Sequence, residues 1–208
     1  QYILENDLLE CIIQLPNDIF YNTGIATYVW LLSNIKEERR KGKVQLINAS
    51  SEAFYRKMRK SLGNKRAELA SEHIQKVQEL YFTFGETEYS KIFDNTDFGY
   101  YQITVHQPER DEQGDIIIDA KGKPKSDSNL KDIENVPMKE NIEEYFKREV
   151  LAFTPNAWYD KTKMKVGYEI AFNKYFYQYQ ALRSLDAIAA DILQLEQETD
   201  GLLKEIVA

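Results

Sequence analysis

Three short apolar runs within residues 1–49 constrain this chain more than any other feature. They are 9–15 (LECIIQL), 25–33 (IATYVWLLS) and 43–49 (KVQLINA). Each is short for a helix and rich in β-branched or aromatic residues, so each reads as a strand. Pro16-Asn17-Asp18 closes the first run, and the charged stretch 36–41, ending at Gly42, separates the second from the third. Runs this apolar suit a sheet covered on both faces. The short charged linker predicts that 25–33 and 43–49 pair as antiparallel neighbours. Residues 2–10 read as the end of a helix, with Ile3, Leu4 and Leu8 on one side.

Beyond residue 50 the pattern changes period. Ser50 or Ser51 is placed to cap a helix carrying Phe54 and Met58 at i, i+4, with Gly63-Asn64 as its stop. Ser71 is placed to cap another, with Ile74, Val77 and Tyr81 on one face and Gly85 beyond its end. Asp97-Phe98-Gly99-Tyr100 reads as a turn, and 101–106 (YQITVH) alternates as a strand does. A Gly114 turn precedes Ile116-Ile117-Ile118, and 121–132 is polar enough to be a surface loop or a disordered insertion. A helix is expected over 138–150, with Ile142, Tyr145, Phe146 and Val150 facing one way.

The C-terminal stretch carries a heptad. Leu185, Ile192, Thr199 and Ile206 recur at seven-residue spacing, and Ile188, Leu195 and Leu202 fall between them. That is an a/d stripe of the kind a coiled coil uses, and it needs a partner, since it is costly to leave in water. Asp191, Glu196, Glu198, Asp200 and Glu205 occupy the other faces. The fold class expected from the whole pattern is mixed α/β and helix-rich. Three stretches are expected: 1–110 with the strands, 111–135 as a variable loop, and 136–208 as a helical tail.

Composition excludes several functions. No apolar run approaches the roughly 20 residues of a membrane helix. The start of the chain lacks the basic segment and apolar core of a signal peptide. The single cysteine, Cys11, precludes an internal disulfide framework, fits a reducing cytoplasm, and sits in an apolar run as a buried structural residue would. His73 and His106 have no ligand-like spacing to it, so no metal site is expected. The net charge is −7, yet 36–66 holds 11 basic residues against 3 acidic ones. Local asymmetry of this kind says more about partners than the total charge does.

Four stretches resemble, in order, the modification subunit of type I restriction-modification systems. The first is Leu8-Leu9-Glu10-Cys11-Ile12-Ile13-Gln14-Leu15-Pro16, continuing through Phe20-Tyr21-Asn22-Thr23-Gly24-Ile25. The second is Arg40-Lys41-Gly42-Lys43-Val44-Gln45-Leu46-Ile47-Asn48-Ala49, then Phe54 and Lys57-Met58-Arg59. The third is Ser90-Lys91-Ile92-Phe93, Asp97-Phe98-Gly99-Tyr100 and Ile103-Thr104-Val105. The fourth is Val166-Gly167-Tyr168-Glu169-Ile170 and Phe172-Asn173-Lys174-Tyr175-Phe176-Tyr177, followed by the heptad.

The resemblance implies an adenine-N6 DNA methyltransferase that takes its methyl group from S-adenosylmethionine. The family's glycine-rich cofactor loop and its Asn-Pro-Pro-aromatic segment are both missing from this sequence, which has no Pro-Pro pair. In the family both precede the stretch matching Leu8 onward. The expectation is therefore a C-terminal fragment, inactive and without cofactor on its own. It would hold the terminal strands of a Rossmann-like methyltransferase sheet, then helices and a coiled-coil-type tail. No catalytic, cofactor-binding or metal residue is assigned to it.

Enzymes that act on a base flip it out of the stack between aromatic faces, so Phe20 and Tyr21 are candidates for the target-base pocket. Arg56, Arg59 and Lys60 are candidates for the DNA backbone, with sequence-independent, salt-sensitive contacts. The alternative is a solvated face with basic stems covering apolar surface. The resemblance also implies that Leu185, Ile188, Ile192, Leu195, Leu202 and Ile206 dock on the specificity subunit. The restriction subunit and double-stranded DNA join in the assembled, cytoplasmic enzyme, and no membrane is involved. A different reading is a non-enzymatic assembly module that dimerises or scaffolds through the heptad.

Overall fold

The computed structural model describes residues 1–177, 179 and 181–207; of 196 and 200–207 it describes the backbone course alone. The chain divides into two compact units, Gln1–Phe176 and Tyr177–Ala208. The first holds a short helix α1 (Tyr2–Glu5), strands β1 (Leu9–Gln14), β2 (Tyr28–Leu32) and β3 (Lys43–Asn48), and a hairpin of β4 (Arg56–Leu62) and β5 (Lys65–Glu68). Helix α2 (Ser71–Thr83) and strands β6 (Ser90–Asp94), β7 (Gly99–His106) and β8 (Asp132–Pro137) follow. Next come α3 (Ile142–Tyr145), which runs into a π-helical turn at Phe146–Leu151, and strands β9 (Trp158–Tyr159) and β10 (Lys165–Tyr168). Helix α4 (Phe172–Phe176) ends the unit, and the second unit is built on α5 (Leu185–Val207). The architecture is mixed α/β, as expected, but strands rather than helices dominate the first unit.

The first sheet has the order β2-β1-β3-β6. Strand β1 pairs antiparallel with β2 and parallel with β3, and β6 closes the far side antiparallel to β3. The hairpin expected between 25–33 and 43–49 does not form, because β1 lies between them. The chain instead crosses around the start of β1, where Asp7 holds the crossing. Its carboxylate accepts from Lys36 Nζ at 2.5 Å, Gly42 N at 2.8 Å and Asn95 Nδ2 at 2.9 Å. Partial burial raises the Asp7 pKa, but these donors outweigh it and hold the group below the ordinary carboxylate range. Lys36 is buried against this carboxylate, so part of the basic segment is internal structure rather than a surface.

Both faces of β1 and β3 are covered. On one side Leu9, Ile12, Val44 and Leu46 pack with Leu4, Phe98 and Phe172, and on the other Cys11, Ile13 and Ile47 pack with Phe54, Val77 and Leu80. Near-continuous apolar runs at β1 and β3 are the sequence signature of this double coverage. Burial pushes the Cys11 thiol up to about 12, which makes it inert at neutral pH. The run containing β2 departs from the expectation: β2 is the edge strand, and Tyr28, Val29, Trp30 and Leu32 are exposed.

A polar cluster pins α2 to the sheet. Gln45 is fully buried in mid-β3 and donates to Leu80 O at 2.8 Å and to Ser90 Oγ at 2.9 Å. Arg40, 2% exposed, donates to Gln45 Oε1 and Tyr81 O and lies over the rings of Tyr81 and Phe84, 4.1 and 4.3 Å from their centroids. Every donor-rich group in this cluster has an acceptor, which is the condition for burying it without a large penalty. Helix α2 begins as expected at Ser71, but the capping acceptor is His73 Nδ1, which takes the Ala70 N–H at 3.0 Å.

The second sheet has β7 at its centre, with β8 on one side and β10 and β9 on the other, all antiparallel. Ile103, Val105 and Val136 pack under Phe146 and Val150 of the helical segment expected at 138–150. That segment starts later than expected because Asn141 caps it, accepting from the N–H groups of Glu143 and Glu144. The polar segment between β7 and β8 folds into a series of turns. It contains an eight-residue repeat: Glu109, Ile117 and Lys125 join in a closed ring of backbone hydrogen bonds of 2.8, 2.9 and 2.9 Å. Asp111 and Asp119, also eight apart, each accept two N–H groups of the turn that follows.

In the second unit, Ser184 opens α5, its Oγ accepting from Ala187 N at 3.2 Å. The helix expected from the heptad is present. Leu185, Ile188, Ile192 and Leu195 are exposed. The side chains of Leu202 and Ile206 lie outside the described residues. Among the described residues, no helix is long and apolar enough to cross a membrane.

Candidate nucleic-acid interface

Strands β1 and β3 run parallel, so their carboxyl ends open on the same edge of the first sheet. Ligands of α/β sheets gather at such an edge, because loops leaving neighbouring parallel strands diverge there. The segment 15–27 leaves β1 and the segment 49–55 leaves β3. Both expected base-pocket residues are in the first segment, with Phe20 45% and Tyr21 58% exposed. Among the described residues, neither ring belongs to an apolar core cluster, so the loop presents them to solvent rather than using them for packing.

The segment expected to be a helix over 50–62 forms a 3-10 turn, Glu52–Phe54, and the β4–β5 hairpin. Phe54 is buried as a helix would require, but Met58 and Leu62, which would follow it on the same helical face, lie in β4 instead, and Leu62 is exposed. The hairpin satisfies these residues better. Gly63-Asn64 is its two-residue turn, with Leu62 opposite Lys65 and a positive φ of 61° at Gly63. Ala67 is buried opposite Lys57, and Arg56 pairs with Glu68 at 2.7 Å.

The hairpin pairs with no third strand among the described residues, and a lone two-stranded ribbon is marginal by itself. Three backbone hydrogen bonds tie it to the aromatic loop. Asn64 N donates to Tyr21 O at 3.0 Å, and Arg66 N and Ala67 N donate to Asp18 O at 2.8 and 3.1 Å. Asp18 itself sits in the left-handed region at φ 58°. Lys65 Nζ lies 5.2 Å from the centroid of the Tyr21 ring. Between loop and hairpin is a cavity of about 640 Å³, lined by Asn17, Asp18, Ser50, Tyr55, Lys57 and Arg66 among others.

The candidate backbone residues share this hairpin. Arg59 and Lys60 are exposed and have no ion pair among the described residues, whereas Arg56 is already engaged by Glu68. Lys57 is paired with Glu52 at 2.8 Å, and that contact raises the ammonium pKa and lowers the carboxylate's. The structure therefore brings Phe20, Tyr21, Arg59 and Lys60 to one edge. It adds Asp18, Gly63, Lys65 and Arg66, none of which is a candidate site residue by sequence. Gly63-Asn64 is the available signal, since a Gly-Asn pair between two runs marks a hairpin as readily as a helix stop.

Gly24 is the only glycine in the segments leaving β1 and β3, and a Cβ placed on it would lie 2.7 Å from Asp18 Oδ1, so its open side is filled by the chain itself.

Residues 1–98 match the family described as N-6 DNA Methylase. Its curated relatives are methylase subunits of type I restriction enzymes, so the resemblance to modification subunits holds. The MjaVII methylase subunit of Methanocaldococcus jannaschii is 37% identical over 93 residues, 44% of this chain and 15% of that protein. The MjaVIII methylase subunit of the same organism is 33% identical over 92 residues, 44% of this chain and 15% of that protein. The chain thus spans about 15% of the length of the curated relatives it matches. Among solved structures, the type I restriction-modification methyltransferase subunit from Streptococcus thermophilus is similar at 24% identity, over 46% of this chain and 19% of that one, with a TM-score of 0.39.

Proposed function

We propose that this chain works as part of a type I modification subunit that methylates adenine N6 in DNA with S-adenosylmethionine. In this reading the chain supplies the strands of the first sheet, and Phe20 and Tyr21 form part of the target-base pocket. Arg59 and Lys60, with Arg56 behind them, contact the DNA backbone. The cofactor and the amine-gripping motif are held by other parts of the complete subunit, so this chain alone neither binds S-adenosylmethionine nor transfers methyl groups. The apolar stripe of α5 docks on the specificity subunit, and the restriction subunit joins the full complex.

One observation carries this reading: within the stretch matching the N-6 DNA methylase family, two exposed aromatics and an exposed basic hairpin meet at the carboxyl ends of parallel strands. The test is methylation by the complete subunit assembled with its specificity subunit. A base–aromatic stack is worth ~1–3 kcal/mol, so Phe20→Ala or Tyr21→Ala is expected to slow adenine methylation about tenfold or more. Neutralising Arg59 and Lys60 is expected to make DNA binding less salt-dependent, since the slope falls by about one unit for each phosphate that is no longer neutralised. Unchanged methylation together with an unchanged salt slope would overturn the proposal.

A further inference from the structure

The Tyr21 carbonyl is the point where the aromatic loop and the basic hairpin meet. It accepts the Asn64 N–H at 3.0 Å, and a Cβ placed on Gly63 would lie 2.8 Å from it. That distance is shorter than side chains tolerate, and the clash would be with backbone, which cannot rotate away. Gly63 therefore meets two separate demands. Its φ of 61° closes the hairpin, and its missing side chain lets the turn sit on the loop.

The rest of the junction is equally stiff. Arg66 N and Ala67 N are both committed to Asp18 O, two residues before Phe20, and Ala67 is buried. The hairpin has no third strand among the described residues, so the loop is its main backbone attachment. A force on Arg59 or Lys60 is transmitted through Gly63 and Asn64 to the peptide of Tyr21.

We infer that hairpin and loop form one clamp, in which Gly63 is a positioning residue coupling contact with the DNA backbone to placement of the aromatic side chains at the target base. This rests on the reading of the preceding subsection and adds a coupling which that reading does not require. A phosphate contact made by Arg59 or Lys60 then sets the loop for base capture, whereas a hairpin that merely attracts DNA would leave the loop to move independently.

Two substitutions separate the demands on Gly63. Alanine violates both. Asparagine tolerates positive φ well, so it preserves the turn while still pressing a Cβ onto the Tyr21 carbonyl. The experiment uses the complete subunit assembled with its specificity subunit, on duplexes with 2-aminopurine at the target adenine. Fluorescence reports extrusion of the base, equilibrium binding reports DNA affinity, and thermal melting reports folding. Gly63→Asn is expected to lower the fluorescence gain and the single-turnover methylation rate about tenfold, in line with the cost of misplacing reacting groups by about an ångström. DNA affinity should move less than about threefold, a small part of what the phosphate contacts supply, and the melting temperature should hold.

Full rescue by Gly63→Asn of what Gly63→Ala loses would show that only the turn matters and would overturn the coupling. Equal losses of affinity and extrusion would also overturn it. A wild-type enzyme with no fluorescence response and no adenine methylation would instead sink the functional reading on which the inference stands.

Discussion

The first sheet and helix α5 carry similar apolar patterns but use them differently. Strands β1 and β3 bury theirs within the unit, under α1 and α4 on one face and α2 on the other. In α5, Leu185, Ile188, Ile192 and Leu195 stand exposed at heptad spacing. Apolar periodicity identifies the element in both regions; what covers it depends on where the rest of the chain goes. The sheet is a self-contained core, whereas the helix presents a surface that is stable in water only at a cost. The comparison can be broken by substitutions whose effects on folding differ in size.

The largest effect belongs to the middle of the sheet. Leu46 is fully buried between β1 and β6, and Leu46→Ala is expected to destabilise the chain by about 3 kcal/mol through lost transfer energy and a residual cavity. Urea unfolding followed by circular dichroism measures this, and a loss below about 1 kcal/mol would mean the core is poorly packed. Arg40→Ala is expected to follow at about 2 kcal/mol or more. It removes two ring contacts and leaves Gln45 Oε1 and Tyr81 O with one donor fewer in a buried site. If Arg40→Ala proved neutral, the cluster binding α2 to β3 would have to be held by Gln45 alone.

A smaller effect tests the ionic link between the two sheets of the first unit. Asp94 at the end of β6 accepts from Lys43 at 2.9 Å and from Lys139, just after β8, at 2.7 Å. The hydrogen bond from Lys139, then that from Lys43, draws its pKa down to about 2 from an ordinary 3.8. A depressed carboxylate contributes stability above its unfolded pKa and loses it as pH falls through the folded one. The contribution should therefore disappear between about pH 4 and pH 2, and Asp94→Asn should flatten that part of the stability–pH curve. The pair is half exposed, so the change is expected to be small. An identical acid limb in the variant would show that the link adds nothing.

The parts of the fold legible in the sequence are those where one local pattern decides the outcome. The buried runs of β1 and β3, the Ser71 helix and the heptad helix all appear where expected. Strand order is not legible, because it depends on Asp7, Lys36, Gly42 and Asn95 meeting around the start of β1 across a wide sequence separation. The β4–β5 hairpin reads as a helix because Phe54 and Met58 share a spacing that suits one, while the deciding groups, Asp18 O and Tyr21 O, lie in another loop. The eight-residue repeat is hidden because its marks, Asp111 and Asp119, look like ordinary turn residues in a polar stretch. Of the candidate site, Phe20, Tyr21, Arg59 and Lys60 are legible as residue types. Their meeting at one sheet edge is not, since it rests on backbone contacts that carry no sequence signal.

The smallest expected effect on folding is in α5, and there the contrast with the sheet is sharpest. Ile192 is exposed on the heptad stripe. An aspartate at a buried position would cost several kcal/mol, but at an exposed helical position the change should stay within about 0.5 kcal/mol. Ile192→Asp is therefore expected to leave the urea midpoint of the chain almost unmoved. If the stripe is a docking surface, the same charge would be desolvated on binding, and truncating or charging a central anchor costs about 2 kcal/mol or more. Binding of the complete subunit to its specificity subunit should then weaken roughly thirtyfold or more, the equivalent of that cost, and co-purification should fall with it. A variant that lost stability and kept its partner would reverse the comparison, making α5 a core element of the chain rather than a surface awaiting one.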